Sequence, residues 1–134
     1  MIIAFHKSCA LDSEVMEELL IETVPGTPRG VRTLRLAGPF ILRTLFDFQS
    51  LVRSGDEQTT FIDLTQVPYI DSAALGCLIG LHVSTQKANR QYALVGASDR
   101  LRSLFEMTGV GSILVCYPTM AEAEKALLGK TASA

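Results

Sequence analysis

Two short apolar segments open the regular part of the chain. Leu19–Val24 and Val31–Ala37 have the length and composition typical of β-strands. The six residues between them include two prolines and two glycines. Because proline fixes φ and glycine admits positive φ, this segment is predicted to be a turn. The two strands are therefore expected to pair as a hairpin.

Apolar positions then recur at helical spacing. The Gly38-Pro39 pair breaks the second strand. The apolar positions that follow at intervals of three or four residues are Ile41, Leu45, Phe48 and Val52. This spacing predicts a helix, and Gly55 is expected to end it, because glycine is the residue that most readily closes a helix in a left-handed conformation.

Strands and helices alternate through the rest of the chain. Thr60–Leu64 is nearly continuously apolar, as expected for a strand covered on both faces. The other predicted strands are Tyr92–Ala97 and Ile113–Tyr117, and the other predicted helices are Ala73 to about Asn89, Ser98–Gly109, and one that follows the Thr119–Glu122 capping pair and ends at Gly129. The order indicates an α/β domain with a mixed, mostly parallel sheet, an N-terminal hairpin and about four helices.

The ends of the chain lack this regularity. Residues 1–18 show no strong pattern and are predicted to be an N-terminal extension. A short helical turn is conceivable there from Val15, Met16, Leu19 and Leu20, with Asp12 or Ser13 as its cap. We expect one domain over 19–129 and a frayed tail over 130–134.

Composition narrows the class of protein. Hydrophobic residues make up 48% of the 134 and charged residues 19%, which is too apolar for a disordered chain and suits one domain with a real core. The net charge of −2 argues against nucleic-acid binding through phosphate neutralisation. The longest small, apolar run, Ala73–Leu81, is shorter than the ~20 residues of a membrane span. We therefore expect a cytoplasmic protein without direct membrane insertion.

Charge is segregated near the N-terminus. An acidic stretch comes first and a basic stretch follows; their members are Asp12, Glu14, Glu17, Glu18 and Glu22, and then Arg29, Arg32, Arg35 and Arg43. Two solvated faces are the simpler interpretation, and a polar surface for a partner is the alternative.

Metal and thiol chemistry have little support. The three cysteines form no CxxC pair, and Cys77 and Cys116 lie in apolar runs typical of buried thiols. His6 and His82 are isolated from each other. The sequence therefore predicts neither a metal site nor a cofactor.

Signatures of catalysis are also missing from the sequence. There is no P-loop, GxGxxG or GxSxG motif. A triad of Ser72, His82 and Asp71 is excluded, because ten helical residues separate the serine from the histidine by ~15 Å. Asp63 and Asp71 could form a carboxylate pair, but nothing supplies a third ligand. We expect a protein that is not an enzyme.

One local feature combines structure with possible chemistry. The buried strand runs into a loop, and Asp71-Ser72 then opens a helix of small residues. In the simpler interpretation Asp71 or Ser72 is the N-cap, and small residues at Ala74, Gly76 and Gly80 allow close packing on the sheet. A hydroxyl at a helix N-terminus is also a place where a phosphate of roughly −2 charge is tolerated. Asp71 could then orient that hydroxyl or help to bind the kinase's Mg²⁺.

The segment Ile62-Asp-Leu-Thr-Gln-Val-Pro-Tyr-Ile-Asp-Ser-Ala-Ala-Leu-Gly76 resembles the signature of STAS domains, the family of bacterial anti-sigma factor antagonists. The strand beginning at Tyr92, the segment Leu101–Val110 and the Arg35–Gly38 segment are similar to the family as well. The resemblance covers roughly residues 19–128, and it implies the same order of elements as the hydrophobic pattern.

This resemblance implies a mechanism. Such proteins bind an anti-sigma factor serine kinase, a histidine-kinase-like ATPase, which then releases its sigma factor. The kinase phosphorylates the serine that corresponds to Ser72, the phosphate blocks binding, and a PPM-type phosphatase restores it. The implied partner-binding residues are Pro39, Asp71, Ser72, Ala73 and Gly76.

The sequence departs from the family pattern at two places. Ala73 and Ala74 replace the usual Ser/Thr and Gly, and Pro39–Leu42 is apolar where the family carries an acidic residue and a polar loop. The apolar loop indicates either an apolar partner surface or burial of Phe40 and Ile41 in the core, and we favour burial. These departures also fit an alternative role, as a non-catalytic STAS subunit of a stress-signalling scaffold or of a lipid-transport ABC system.

Overall fold

A single mixed sheet forms the centre of the molecule. The computed structural model describes residues 4–9, 18–25 and 30–129. Within them the chain forms six strands and four helices: β1 (Ala4–Cys9), β2 (Glu18–Pro25), β3 (Val31–Ala37), α1 (Leu45–Arg53), β4 (Thr59–Gln66), α2 (Ser72–Lys87), β5 (Gln91–Val95), α3 (Asp99–Met107), β6 (Cys116–Tyr117) and α4 (Met120–Leu128). The strands lie side by side in chain order. β1, β2 and β3 pair antiparallel, and β3 to β6 pair parallel. The predicted α/β class and the hairpin of β2 and β3 are confirmed.

Three helices cover one face of this sheet. Because β3 to β6 are consecutive, adjacent and parallel, right-handed crossovers place α1, α2 and α3 on the same side. Their apolar side chains share one core cluster with the strand residues of that face; fully buried members include Leu34, Ile62, Leu94, Phe48, Leu78 and Leu101. α4 packs on the opposite face, where Ala123 meets Phe61, Ala93 and Val95. β4 is thus covered on both sides, which explains its nearly continuous apolar sequence.

β1 is an edge strand that the sequence pattern does not predict. Ala4–Cys9 pairs with β2 inside the segment expected to be an irregular extension. An edge strand is held by main-chain hydrogen bonds to its neighbour, and these require no alternation of side chains. Leu19 and Leu20 lie in β2 rather than in a helical turn. The other proposed members of that turn, Asp12, Ser13, Val15 and Met16, lie outside the described residues.

Most element boundaries differ from the prediction by one or two residues, and those of α1 and β6 differ by three or more. α1 begins at Leu45 instead of near Ile41, which belongs to the preceding turn. β6 has two residues instead of the five predicted from Ile113. The residues just before β6 form a turn that follows α3 instead of a strand. In this turn the N–H groups of Ile113 and Leu114 both donate to Val110 O. Leu114 is buried by this turn rather than by strand pairing.

The predicted helix caps are confirmed. Ser98 Oγ accepts a hydrogen bond from Leu101 N, and Thr119 Oγ1 accepts one from Glu122 N, each at 3.2 Å. Gly55 and Gly109 adopt positive φ just beyond α1 and α3. Within the described part of the chain, no helix is long and apolar enough to cross a membrane.

The interpretation of the basic stretch as a solvated face is wrong for Arg32. This side chain is only 7% exposed. Its guanidinium donates to Leu51 O at 2.9 Å, to Val52 O at 3.3 Å and to Thr60 Oγ1 at 3.1 Å. A cation at the last carbonyls of α1 complements the negative end of the helix dipole. Arg32 therefore ties α1 to the sheet.

The other charged residues behave differently. Arg35 and Arg43 are exposed, and Arg35 Nη1 lies 3.5 Å from Glu22 Oε1 on the neighbouring strand. A surface ion pair such as that of Arg35 with Glu22 contributes little to stability. The other members of the two charged stretches lie outside the described residues; they are Asp12, Glu14, Glu17 and Arg29.

The prediction of buried thiols is wrong for Cys116, which is exposed on the two-residue edge strand β6. Cys77 is half-buried, and this burial raises the pKa of its thiol.

Candidate functional site

The two loops that leave β3 and β4 meet at one edge of the sheet. Parallel neighbouring strands end on the same side, which is where α/β folds place their ligands and partners. The loops are joined by hydrogen bonds from Gly38 N to Gln66 O at 3.0 Å and from Phe40 N to Tyr69 O at 3.2 Å. Gly38 has φ of +118°, and a Cβ there would collide with the main-chain oxygen of Glu18. Only glycine fits where the first loop turns away from β3.

Asp71 caps α2 and also holds the β3–α1 loop. Its Oδ1 accepts a hydrogen bond from Ala74 N, and its Oδ2 accepts one from Leu42 N, both at 2.9 Å. Asp71 therefore fills the cap position that the sequence left open between Asp71 and Ser72. Because both carboxylate oxygens bind main-chain N–H groups, the geometry favours a positioning role over coordination of Mg²⁺.

Ser72 is the first residue of α2 and its side chain is exposed. Among the described residues, nothing forms a hydrogen bond with its hydroxyl, and the amides of Ser72 and Ala73 donate to no acceptor. These amides belong to the first turn, whose N–H groups have no partner within a helix. A negative group attached to Ser72 would therefore meet free donors and the positive end of the helix dipole.

Exposed apolar side chains occur in the β3–α1 loop, in α1 and along a groove beside α3. Leu42, next to Asp71, is 54% exposed, and Phe46 in the first turn of α1 is 57% exposed. On the side of α3, Tyr69 and Met107 line an open groove of about 660 Å³. Phe40 and Ile41 are buried, as favoured from the sequence. The apolar loop thus divides its residues between the core and the surface.

The glycines of α2 face away from the sheet. Ala74 is fully buried and packs as predicted, but Gly76 and Gly80 are exposed, and a Cβ at either would meet nothing within 4 Å. The prediction that both glycines allow close packing on the sheet is therefore wrong. Spaced four residues apart, Ser72, Gly76 and Gly80 form one exposed strip along the helix.

The other residues singled out from the sequence make few contacts at this site. Pro39 is half-exposed, and its carbonyl accepts a hydrogen bond from Thr44 Oγ1 at 2.8 Å. Ala73 is also half-exposed, directly after Ser72. His82 is engaged elsewhere, with Nδ1 2.8 Å from Tyr92 Oη. No group of three or more potential metal ligands occurs among the described residues.

Two contributors to the site were not identified from the sequence. Thr44 is fully buried, and its Oγ1 accepts a hydrogen bond from Ile41 N at 3.0 Å, which fixes the bend of the loop. Its position three residues after Ile41 is a usable signal for a side-chain turn. The contact of Leu42 with Asp71 has no such signal, because it joins the main chain to a side chain 29 residues away.

The chain is similar to known proteins in part of its sequence and in its fold. A family model described as the STAS domain matches residues 20–123. Over 53 residues the chain is 45% identical to the anti-sigma-B factor antagonist of Listeria monocytogenes, which covers 40% of this chain and 46% of that protein. The chain thus spans about half the length of the curated relatives that it matches.

Solved structures resemble the fold. The anti-sigma factor antagonist SpoIIAA in its unphosphorylated form aligns with a TM-score of 0.67 and 18% identity, over 81% of this chain and 96% of that chain. Bacillus SpoIIAA in the phosphorylated form aligns with a TM-score of 0.62 and 17% identity, over 80% of this chain and 98% of that chain. At these identities the likeness concerns the arrangement of the strands and helices.

Proposed function

Because the chain belongs to the STAS domain family, we propose that it is a cytoplasmic anti-sigma factor antagonist controlled by phosphorylation of Ser72. The observation that carries this proposal is the exposed, unbonded hydroxyl of Ser72 at the N-terminus of α2. The kinase is an anti-sigma factor with a histidine-kinase-like ATPase, and a PPM-type phosphatase reverses the reaction. The protein itself catalyses neither step.

The position of Ser72 supports a switch that leaves the fold intact. A phosphate there adds roughly −2 charge at the end of the helix where negative charge is favoured. The free amides of Ser72 and Ala73 can bind its oxygens. The new charge therefore alters the surface that a partner meets while α2 stays formed.

The surroundings of Ser72 support a partner surface. Leu42, whose N–H donates to Asp71, and Phe46 in the first turn of α1 present exposed apolar area, and Gly76 provides a position on α2 without a side chain. A partner can bury the apolar groups and approach the helix closely. A phosphate placed among them would have to be desolvated on binding, which explains how phosphorylation releases the partner.

Phosphorylation assays on the full chain test the proposal. We expect incubation with the cognate kinase and ATP to place one phosphate on Ser72, mapped by mass spectrometry, and Ser72→Ala to abolish it. Ser84→Ala, at an exposed serine of the same helix, is the matched control and should leave phosphorylation intact. Ser72→Asp should weaken kinase binding by roughly tenfold or more. Phosphate on another residue, or kinase binding that ignores both Ser72 variants, would contradict the proposal.

A second candidate function rests on the exposure of Leu42 and Phe46. A permanently apolar face suits a non-catalytic STAS subunit of a stress-signalling scaffold or of a lipid-transport ABC system. Affinity capture from cells of the source species separates the two. An ABC nucleotide-binding subunit bound equally by the wild type and by Ser72→Asp would favour this role over the switch.

A further inference from the structure

A cleft of about 350 Å³ lies between α1 and α2, and Ser72 is not among the residues that line it. Its walls are formed by the facing sides of the two helices, and Arg32 of β3 and Thr60 of β4 close its inner end. Arg90, just before β5, also lines it. Cavities of about 300–1,000 Å³ are the size that binds small molecules.

The α2 wall of this cleft is open because it is built on Gly76 and Gly80. A Cβ at either position would meet nothing within 4 Å, so neither glycine is required for packing. Glycine inside a helix destabilises it relative to alanine. The two glycines therefore keep space between the helices at a cost to helix stability.

The cleft is positively charged. Three guanidinium groups, those of Arg32, Arg53 and Arg90, line it together with a single carboxylate, that of Glu57. Arg32 Nε lies 3.6 Å from Glu57 Oε1. Among the described residues, no carboxylate is within ion-pair distance of Arg53 or Arg90. Three cations and one anion leave a net charge of +2.

Buried polar atoms lining this cleft have unused hydrogen-bonding capacity. Arg32 is 7% exposed, and three of its five N–H donors are bonded, to Thr60, Leu51 and Val52. Buried donors without partners are unfavourable, so the cleft suits an occupant that accepts hydrogen bonds from Arg32.

We propose that the cleft between α1 and α2 binds a small molecule through a phosphate group held by Arg53, Arg90 and the buried guanidinium of Arg32. A phosphate of −1.5 to −2 charge near neutral pH balances the charge of the cleft. The planar, forked donors of arginine match phosphate oxygens in geometry. Val52 and Leu81 offer apolar contact to the remainder of a phosphate ester. This site is separate from phosphorylation of Ser72.

Titration of the ¹⁵N-labelled full chain, followed by amide chemical shifts, tests the site. The probes are inorganic phosphate and glycerol 3-phosphate, each compared with sodium chloride at equal ionic strength. We expect shifts concentrated at Gly76, Gly80 and Arg90 with both phosphates. Tighter binding of the ester identifies a phosphorylated metabolite as the occupant, and equal binding identifies free phosphate.

Variants separate the cleft from the rest of the surface. Gly80→Leu places a side chain in the cleft and favours helix, so it should weaken phosphate binding by roughly tenfold or more without loss of helical circular dichroism. Val83→Leu, on the same helix outside the cleft, is its control. Arg90→Gln should weaken binding by a similar factor, whereas Arg100→Gln on α3 should not.

Three results would overturn the proposal. One is a set of shifts spread over the surface and reproduced by chloride, which indicates an adventitious ion only. Another is unchanged phosphate affinity in folded Gly80→Leu. The third is equal affinity in Arg90→Gln and Arg100→Gln, which remains decisive even where Gly80→Leu does not fold. None of these outcomes depends on whether Ser72 is phosphorylated.

Discussion

The two carboxylate oxygens of Asp71 accept hydrogen bonds from two different segments of the chain. Oδ1 caps α2 through Ala74 N, and Oδ2 binds Leu42 N in the loop before α1. The sequence shows an acceptor at a helix start, because capping is a local relation over three residues. The second hydrogen bond follows from the pairing of β3 with β4, which brings the two loops together. One side chain thus couples the N-terminus of α2 to the apolar loop.

Replacing Asp71 by alanine tests this coupling. Asp71→Ala removes the cap, worth about 1 kcal/mol, and the hydrogen bond to Leu42, worth about 0.5–1.5 kcal/mol. We expect the free energy of unfolding in urea to fall by about 1.5–2.5 kcal/mol, with faster hydrogen exchange at the Leu42 amide. Ser98→Ala, which removes only the cap of α3, is the control and should cost about 1 kcal/mol. Equal losses in the two variants, with Leu42 exchange unchanged, would refute the coupling.

The elements themselves follow closely from local sequence. The apolar period predicts α1, α3 and α4, and Ser98 and Thr119 cap the last two as their residue types require. α2 is predicted from its composition instead, a run of small apolar residues after Asp71-Ser72. Differences occur where an element is short or its pattern is ambiguous. β6 shrinks to two residues because the apolar side chain of Leu114 is buried by a turn. An apolar run alone does not distinguish a strand from a buried turn.

At the N-terminus of α2, a negative charge should leave the helix formed. We expect Ser72→Asp to keep the helical circular dichroism of the wild type and to change the free energy of unfolding by less than about 1 kcal/mol, because the dipole favours the new charge and Asp71 repels it. Ser72→Ala is the uncharged control, since the hydroxyl has no described partner. A loss of helix in Ser72→Asp but not in Ser72→Ala would mean that phosphorylation acts by unfolding α2.

For the molecule as a whole, the sheet has one long antiparallel side and one parallel side. β1 covers the edge of β2, and on the far face α4 packs over β4, β5 and β6. The match to the STAS family model begins at residue 20, within β2. β1 is therefore an addition to the matched region that shields an otherwise open strand.

Removal of β1 tests this role. A chain lacking residues 1–10 exposes the main-chain N–H and C=O groups of β2 at the sheet edge. We expect a lower urea midpoint and concentration-dependent association in light scattering, because an unpaired edge recruits other strands. Deletion of residues 131–134, beyond α4, is the control and should change neither property. A shortened chain that stays monomeric and equally stable would show that the domain is complete without β1.

The sequence by itself determined the α/β class and the order of strands and helices after residue 18. These follow from period, turn composition and capping, all of which act over a few neighbouring residues. Ser72 as the candidate phospho-acceptor came instead from the resemblance of its segment to STAS domains, and it stays a prediction. The tertiary structure decided that Arg32 is buried, that Gly76 and Gly80 line a cleft, and that Asp71 reaches Leu42. Each of these depends on which strands lie side by side and which helix faces meet, and such contacts join residues that are distant in the chain.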